Sequence, residues 1–491
     1  MLFNSYIFVF LFLPITVSVY FLLNRLSLYD KSIYWLIASS IYFYAWWNYI
    51  YLPLILFSIF FNYFISKRIS HYGSKNKSST KKRKALFLVA LIVNIGILGY
   101  FKYIDFFIDN INILFGKNIH HLNLMLPLAI SFFTLQQIAY IVDVYEGLVK
   151  DVKLRDYFLF VMFFPQLIAG PIVHHKDMMP QFSDNDRKRL NDNNISKAIF
   201  IFCIGLFKKV ILADTLAFWA NAGFENSASL NFIEAWATAL SYTFQIYFDF
   251  SGYMDMATGA ALLFNIELPK NFNSPYKATG VIDYWSRWHI TLTNFIMTYI
   301  YTPILRSCKK ITFNKAMLAT LFSMLLSGIW HGASWIYIFW GGVHGLGLIV
   351  NHYWRKTKIK LHKHIARIIT FIFIILTMVI FRSSNWTQLT NIISTMFNPS
   401  NIILPVPMEN TLYFLEKVGM EFGPWMQNLY GGIETWVFLL VSVIIVFFFE
   451  NSHTWLDRND GSLKYLFISA FLFSISLFGM REVNEFIYFN F

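Results

Sequence analysis

Apolar residues gather into long segments at 6–23, 33–49, 51–66, 85–101, 124–142, 156–173, 197–218, 232–249, 253–265, 290–305, 316–329, 334–351, 365–381, 435–449 and 464–480, separated by polar linkers. None alternates apolar and polar residues with period 2. That pattern predicts helices rather than the lumen-and-lipid alternation of a membrane β-barrel strand. Many segments approach the ~20 residues needed to cross a ~30 Å hydrocarbon core, and several are shorter. The short ones predict re-entrant or half-spanning helices, which are tolerated where protein or a water-filled cavity covers the backbone. An internal cavity is therefore expected. Segment 6–23 follows no Lys or Arg and ends in no small-x-small site, so it reads as an uncleaved first span.

Composition agrees with this pattern. Of 491 residues, 57% are hydrophobic and 14% charged, against about 25% charged in soluble domains. An ordinary soluble enzyme is thereby excluded. The net charge of +13 does not point to nucleic acid, because the basic residues crowd two linkers. One runs from Lys67 to Lys84 and includes Lys75, Lys77 and Arg83; the other runs from Arg355 to Arg367. The positive-inside rule places both in the cytoplasm, with the N-terminus and the long 382–434 connection outside. Cys203 and Cys308 are far apart in sequence and suggest neither a disulfide framework nor a metal site. A single integral-membrane domain over 1–491 is the simplest division.

Ionisable groups at bilayer depth are costly and mark candidate sites. Nine of the twelve histidines, including His174, His175 and His453, read as loop or boundary residues. His289, His331 and His344 fall in a stretch rich in Trp and Gly. His331 lies in Ser327-Gly328-Ile329-Trp330-His331-Gly332, after an apolar segment of 14 residues at 316–329, which predicts a position below the outer surface. There it can serve as a general base for a hydroxyl or be hydrogen-bonded between helices. Helical spacing through 283–293 would pair Asp283 with Arg287 and align Trp285, His289 and Thr293 on one face. His344 lies in a Gly-rich run suited to close packing. Gln245, Asp249 and Asp255 form another polar cluster, but helical spacing turns the two carboxylates to different faces, so structural pairing is expected over an acid–base dyad. No nucleophile elbow, P-loop, dinucleotide fingerprint or HExxH is present.

Several blocks in order carry a resemblance: Phe3–Tyr6, Leu126–Gln137, Phe164–Val173, Gln245–Asp255, Asn271–Tyr276, Trp285–Thr291 and Gly328–Gly332. Together they resemble the membrane-bound O-acyltransferase (MBOAT) superfamily, in its bacterial alginate O-acetyltransferase-like branch. The resemblance implies an all-α multi-spanning protein with an MBOAT-type helical core around a cavity. Its motif core is expected at about 124–351, with additional helices over 365–491. It maps the active-site histidine onto His331 and the second motif histidine, a supporting residue, onto His289.

The implied reaction is attack of an acceptor hydroxyl on an activated acyl carbonyl, with His331 as general base. Candidates for oxyanion donors are the 328–332 backbone and the Trp330 and Trp335 indoles. The resemblance further implies acetyl-CoA or another activated donor as substrate, no metal and no tightly bound cofactor. Also implied are a bacterial inner-membrane location and a periplasmic SGNH-type partner that receives the acetyl groups. Asn294–Arg306 lacks the Arg-Asp pair and Pro-Leu-Gly-Gly turn of alginate-type members, which sets peptidoglycan ahead of alginate as acceptor. A D-alanyl transferase of teichoic-acid type is the alternative enzyme, and a solute transporter the alternative from another class.

Overall fold

The computed structural model describes residues 1–72, 77–149, 152–480 and 486–487. Lys75 lies outside the described residues. Helices dominate, and the strands among the described residues are Ile403–Pro405 and Glu421–Gly423, a short parallel pair within the 382–434 connection. Among the described residues, five helical stretches are long and apolar enough to cross a bilayer, or six if the Ile433–Phe448 and Ser452–Arg458 helices, bent by 55°, count as one span. Tyr29–Asn48 and Leu52–His71, separated by a tight turn, have 20 residues each, or about 30 Å.

Side-chain caps fix where the central helices begin. Asn191 accepts from Asn194 N–H at the start of Asp192–Phe207, and Asn231 with Glu234 forms a capping box before Phe232–Leu262. Such caps satisfy N–H groups left without intrahelical partners, at about 1 kcal/mol each. The Phe232–Leu262 helix has 31 residues and is buried almost throughout. It joins two segments that the apolar pattern separates at 249–253, because Gly252 there serves packing and not a break. A Cβ on Gly252 would meet Gly205 O at 2.7 Å, and one on Gly205 would meet Gly252 O at 2.5 Å. The two helices touch along this seam as closely as backbones allow.

Other expected segments are interrupted. Residues 156–173 divide into Leu154–Met162 and Phe164–Leu167, followed by buried non-helical chain through Val173. Residues 290–305 divide into Ile290–Ile296, a π-helical turn at Met297–Tyr301, and Thr302–Arg306. The first interruption is buried in the protein core, where irregular backbone is allowed at depth; the second lies at the surface of the fold, with no buried residue in the turn or in the helix after it. The helix before the Trp-His-Gly motif corrects the 14-residue expectation: Thr312 caps it at Lys315 N–H, so it runs Phe313–His331, 19 residues. His331 is nevertheless only 2% exposed, covered by neighbouring elements rather than by depth alone.

The following Trp335–Thr357 helix packs directly against this one. A Cβ on Gly341 would lie 2.3 Å from Met324 O, and one on Gly328 2.2 Å from Tyr337 O. An open cavity of about 880 Å³ lies between Trp335–Thr357 and Lys363–Arg382, lined mainly by apolar side chains and bordered by Lys360 and Lys363. Phe373, on its wall, places its ring 5.4 Å from that of His344.

Candidate active site

Four segments distant in sequence meet in the core. His289 is fully buried and caps Ile290–Ile296 from a left-handed conformation, φ 45°. Such a conformation is uncommon outside glycine, so surrounding contacts must hold it. They centre on Asn271. Its Oδ1 accepts from His289 Nδ1 at 3.2 Å, from Thr291 N–H at 3.1 Å and from the Thr291 hydroxyl at 2.9 Å, while Ile290 N–H donates to Asn271 O at 3.0 Å. A proton on Nδ1 leaves Nε2 as the acceptor nitrogen of the ring. Because the chain turns here, Trp285, His289 and Thr293 do not form the expected continuous helical face. The Asp283–Arg287 pair does form, at 2.6 Å.

His331 ends its helix with its ring against Trp330, Trp340 and Phe381, at centroid separations of 4.9, 5.1 and 5.2 Å. Gly332 follows in extended conformation, and a Cβ there would meet the Tyr337 ring at 2.2 Å. The Trp330 ring bridges the two motif histidines, 6.3 Å from that of His289. His344 is fully buried, and its Nδ1 accepts from Trp285 Nε1–H at 3.3 Å. Its ring also packs on Trp340, at 4.7 Å.

Lys102 was not singled out by the sequence pattern. It sits in a π-helical turn, Gly99–Tyr103, a local geometry that redirects side chains and recurs at functional sites. Its ammonium donates to Trp330 O at 2.5 Å and to Ser131 Oγ at 3.1 Å, and lies 5.7 Å from the Trp330 ring centre. The Tyr103 hydroxyl donates to Ile329 O at 2.8 Å. Adjacent side chains thus cap the last turn of the helix that carries His331, where carbonyls lack intrahelical donors.

The carboxylates of the Gln245–Asp255 run take separate lysines. Asp249 Oδ1 pairs with Lys209 Nζ at 2.8 Å, and Lys209 also reaches Asp214 at 2.8 Å. Asp255 pairs with Lys208 at 2.7 Å and accepts from the Ser452 hydroxyl at 2.9 Å. Structural pairing is what the helical spacing predicts for these residues, and the partners are lysines.

A second constellation escaped the apolar pattern. Asp143 Oδ2 lies 2.8 Å from His174 Nε2, 3.3 Å from His175 Nδ1 and 2.9 Å from the Tyr299 hydroxyl. Among the described residues this is the set whose His and carboxylate atoms converge as cation ligands would. However, Lys176 N–H donates to His174 Nδ1 at 3.4 Å, which puts the ring proton on Nε2, facing the carboxylate. The cluster is thereby satisfied as a hydrogen-bonded hub joining three elements. Tyr299 lies in the π-helical turn Met297–Tyr301, and a nearby bond from Ile172 N–H to Thr291 Oγ1 at 3.1 Å ties the hub to the His289 turn.

Comparison with known proteins gives this arrangement a family. The sequence model of the membrane-bound O-acyltransferase family matches residues 144–387. The chain is 41% identical to the peptidoglycan O-acetyltransferase of Helicobacter pylori, over 100% of this chain and 98% of that protein. The chain belongs to the membrane-bound O-acyltransferase family. It is also 37% identical to a probable alginate O-acetylase of Pseudomonas putida, covering 81% of this chain and 80% of the other. Likeness to the teichoic acid D-alanyltransferase of Lacticaseibacillus rhamnosus is weaker, 26% over 64% of this chain and 76% of the other. This MBOAT chain is thus a multi-pass membrane O-acyltransferase whose paired motif histidines are buried around one tryptophan.

Proposed function

We propose that this MBOAT chain transfers acetyl groups for the O-acetylation of a cell-envelope polysaccharide, with peptidoglycan as the leading acceptor. The observation that carries the reading is the meeting of His331 and His289 across the Trp330 ring inside a membrane protein. The near full-length similarity to a peptidoglycan O-acetyltransferase supports the acceptor class. In this reading His331 accepts the proton of the attacking hydroxyl. His289, held by Asn271, orients the donor, acceptor or a water from the opposite side.

Acetyl-CoA is the proposed donor, entering from the cytoplasmic face of the bacterial inner membrane. The cavity beside His344 supports that route, because Lys360 and Lys363 border it while its walls suit an acyl chain and thioester. A periplasmic SGNH-type protein is the proposed recipient of the exported acetyl groups. The attack forms a C–O bond, moves the carbonyl π pair to oxygen, and transfers the hydroxyl proton to His331. Collapse expels the thiolate, which takes that proton.

His331→Ala tests the reading in cells that lack the native protein. The variant should accumulate in the membrane and lose glycan-bound acetate, with ester-bound D-alanine measured in the same samples. Wild-type acetate ester in that variant would remove His331 from catalysis, and dependence of D-alanine rather than acetate on the intact protein would replace acetyl transfer with D-alanyl transfer.

A further inference from the structure

An acyl transfer of the kind proposed above needs a donor for the oxyanion, and the structure narrows the choice. Gly332 N–H turns back to Gly328 O at 3.4 Å and Ser334 N–H to Gly332 O at 3.0 Å, so neither amide points to a ligand. The Trp335 indole donates to Asn110 Oδ1 at 3.0 Å on a side chain that is 56% exposed. By contrast, Trp330 Nε1 is buried and has no hydrogen-bond partner among the described residues. A buried donor without an acceptor is costly and uncommon, and calls for an explanation such as a bound or transient partner.

Two further observations distinguish Trp330 from Trp340, whose Nε1 is likewise without a partner. Trp330 is adjacent to both motif histidines, whereas the Trp340 ring packs among His331, His344, Trp285 and Phe381. In addition, Lys102 places its amine nitrogen against the carbonyl and over the ring of Trp330. Among the described residues its polar partners are that carbonyl and the Ser131 hydroxyl, with no carboxylate to neutralise it. Lys102 thus holds in place the helix end from which the Trp330 indole projects.

We propose that Trp330 is a catalytic residue whose indole N–H donates to the acyl carbonyl oxygen as it takes negative charge, and that Lys102 is its positioning residue. The proposal rests on the acetyl-transfer reading. The carbonyl π pair moves onto the oxygen held by Trp330 while His331 takes the acceptor proton. When the carbonyl re-forms, the thiolate of the donor leaves and takes the proton from His331. Lys102 takes no part in the proton transfers.

The experiment uses inverted membrane vesicles that carry the full-length chain together with its periplasmic recipient, with radiolabelled acetyl-CoA outside and peptidoglycan-derived oligosaccharides inside. Trp330 is replaced site-specifically by its benzothienyl analogue, in which sulfur stands in place of Nε1–H and the ring shape is kept. The expected result is a fall in kcat of about 10²-fold, with KM for acetyl-CoA within about twofold of wild type, as loss of a transition-state interaction requires. The same replacement at Trp335 should leave kcat unchanged. Lys102→Met should also lower kcat, Lys102→Arg should retain most of it, and combining Lys102→Met with the Trp330 analogue should give less than the product of the separate losses. A Trp330 analogue with wild-type kcat, or losses that multiply fully, overturns the proposal while leaving acetyl transfer intact. Wild-type protein that transfers no acetyl group from acetyl-CoA overturns the underlying reading and this proposal with it.

Discussion

Asn271 Oδ1 accepts from His289 Nδ1 at 3.2 Å, and the same oxygen holds the backbone and hydroxyl of Thr291. One amide therefore fixes the tautomer of a motif histidine and the left-handed turn on which it stands.

Asn271→Ala should lower both acyl transfer and stability. It removes an acceptor from three donors, at about 1–3 kcal/mol for each donor left unsatisfied, and releases the imidazole from a geometry in which displacement by about 1 Å can cost ~10²-fold in rate. The check is kcat in reconstituted protein beside thermal unfolding in detergent. A variant that keeps wild-type kcat despite a lowered Tm would make Asn271 purely structural.

Lys209→Met should impair folding far more than Lys209→Met combined with Asp249→Asn and Asp214→Asn. Lys209 is buried between Asp249 and Asp214, and Asp249 Oδ2 also accepts from Ile487 N–H at 2.9 Å. Removing the cation alone leaves buried carboxylates uncompensated, worth about 3–5 kcal/mol, whereas neutralising all three groups avoids most of that loss. Membrane yield and monodispersity of the single and triple variants measure the difference. Equal yields from the two would show that the ion pair does not hold the central helices.

The site was legible in sequence where its chemistry is local. Trp330-His331-Gly332 stands out because a histidine between apolar helices is costly, and the spacing of Asp249 and Asp255 already argued against a dyad. Lys102, Tyr299 and Lys209 were not legible in the same way. Each lies in a π-helical turn, at Gly99–Tyr103, Met297–Tyr301 and Lys208–Ala213. The added residue in such a turn shifts the face on which later side chains emerge, so a 3.6-residue period assigns them wrongly. His174 and His175 read as loop residues for a related reason: their partner Asp143 is 31 positions from His174, and only the folded chain joins them. Likewise, the regular period carried the expected helix through 286–289, where the left-handed turn at His289 interrupts it.

Gly341→Ala should destabilise the protein and slow transfer, while Gly96→Ala should do neither. A Cβ at position 341 would stand 2.3 Å from Met324 O, on the helix that ends in His331. Backbone cannot yield as a flexible side chain can, so the two helices must separate, at about 1–3 kcal/mol for overpacking. That separation moves Trp340 and His344 away from His331, which lie on opposite sides of the seam. At Gly96, in Lys77–Leu98, a Cβ meets nothing within 4 Å, and replacing a mid-helix glycine with alanine stabilises by about 0.5–1 kcal/mol. Unfolding temperature and kcat should therefore both fall for Gly341→Ala, while Gly96→Ala should show an equal or higher Tm and unchanged kcat. If Gly341→Ala kept wild-type values of both, the close approach of these helices would not be what positions His331.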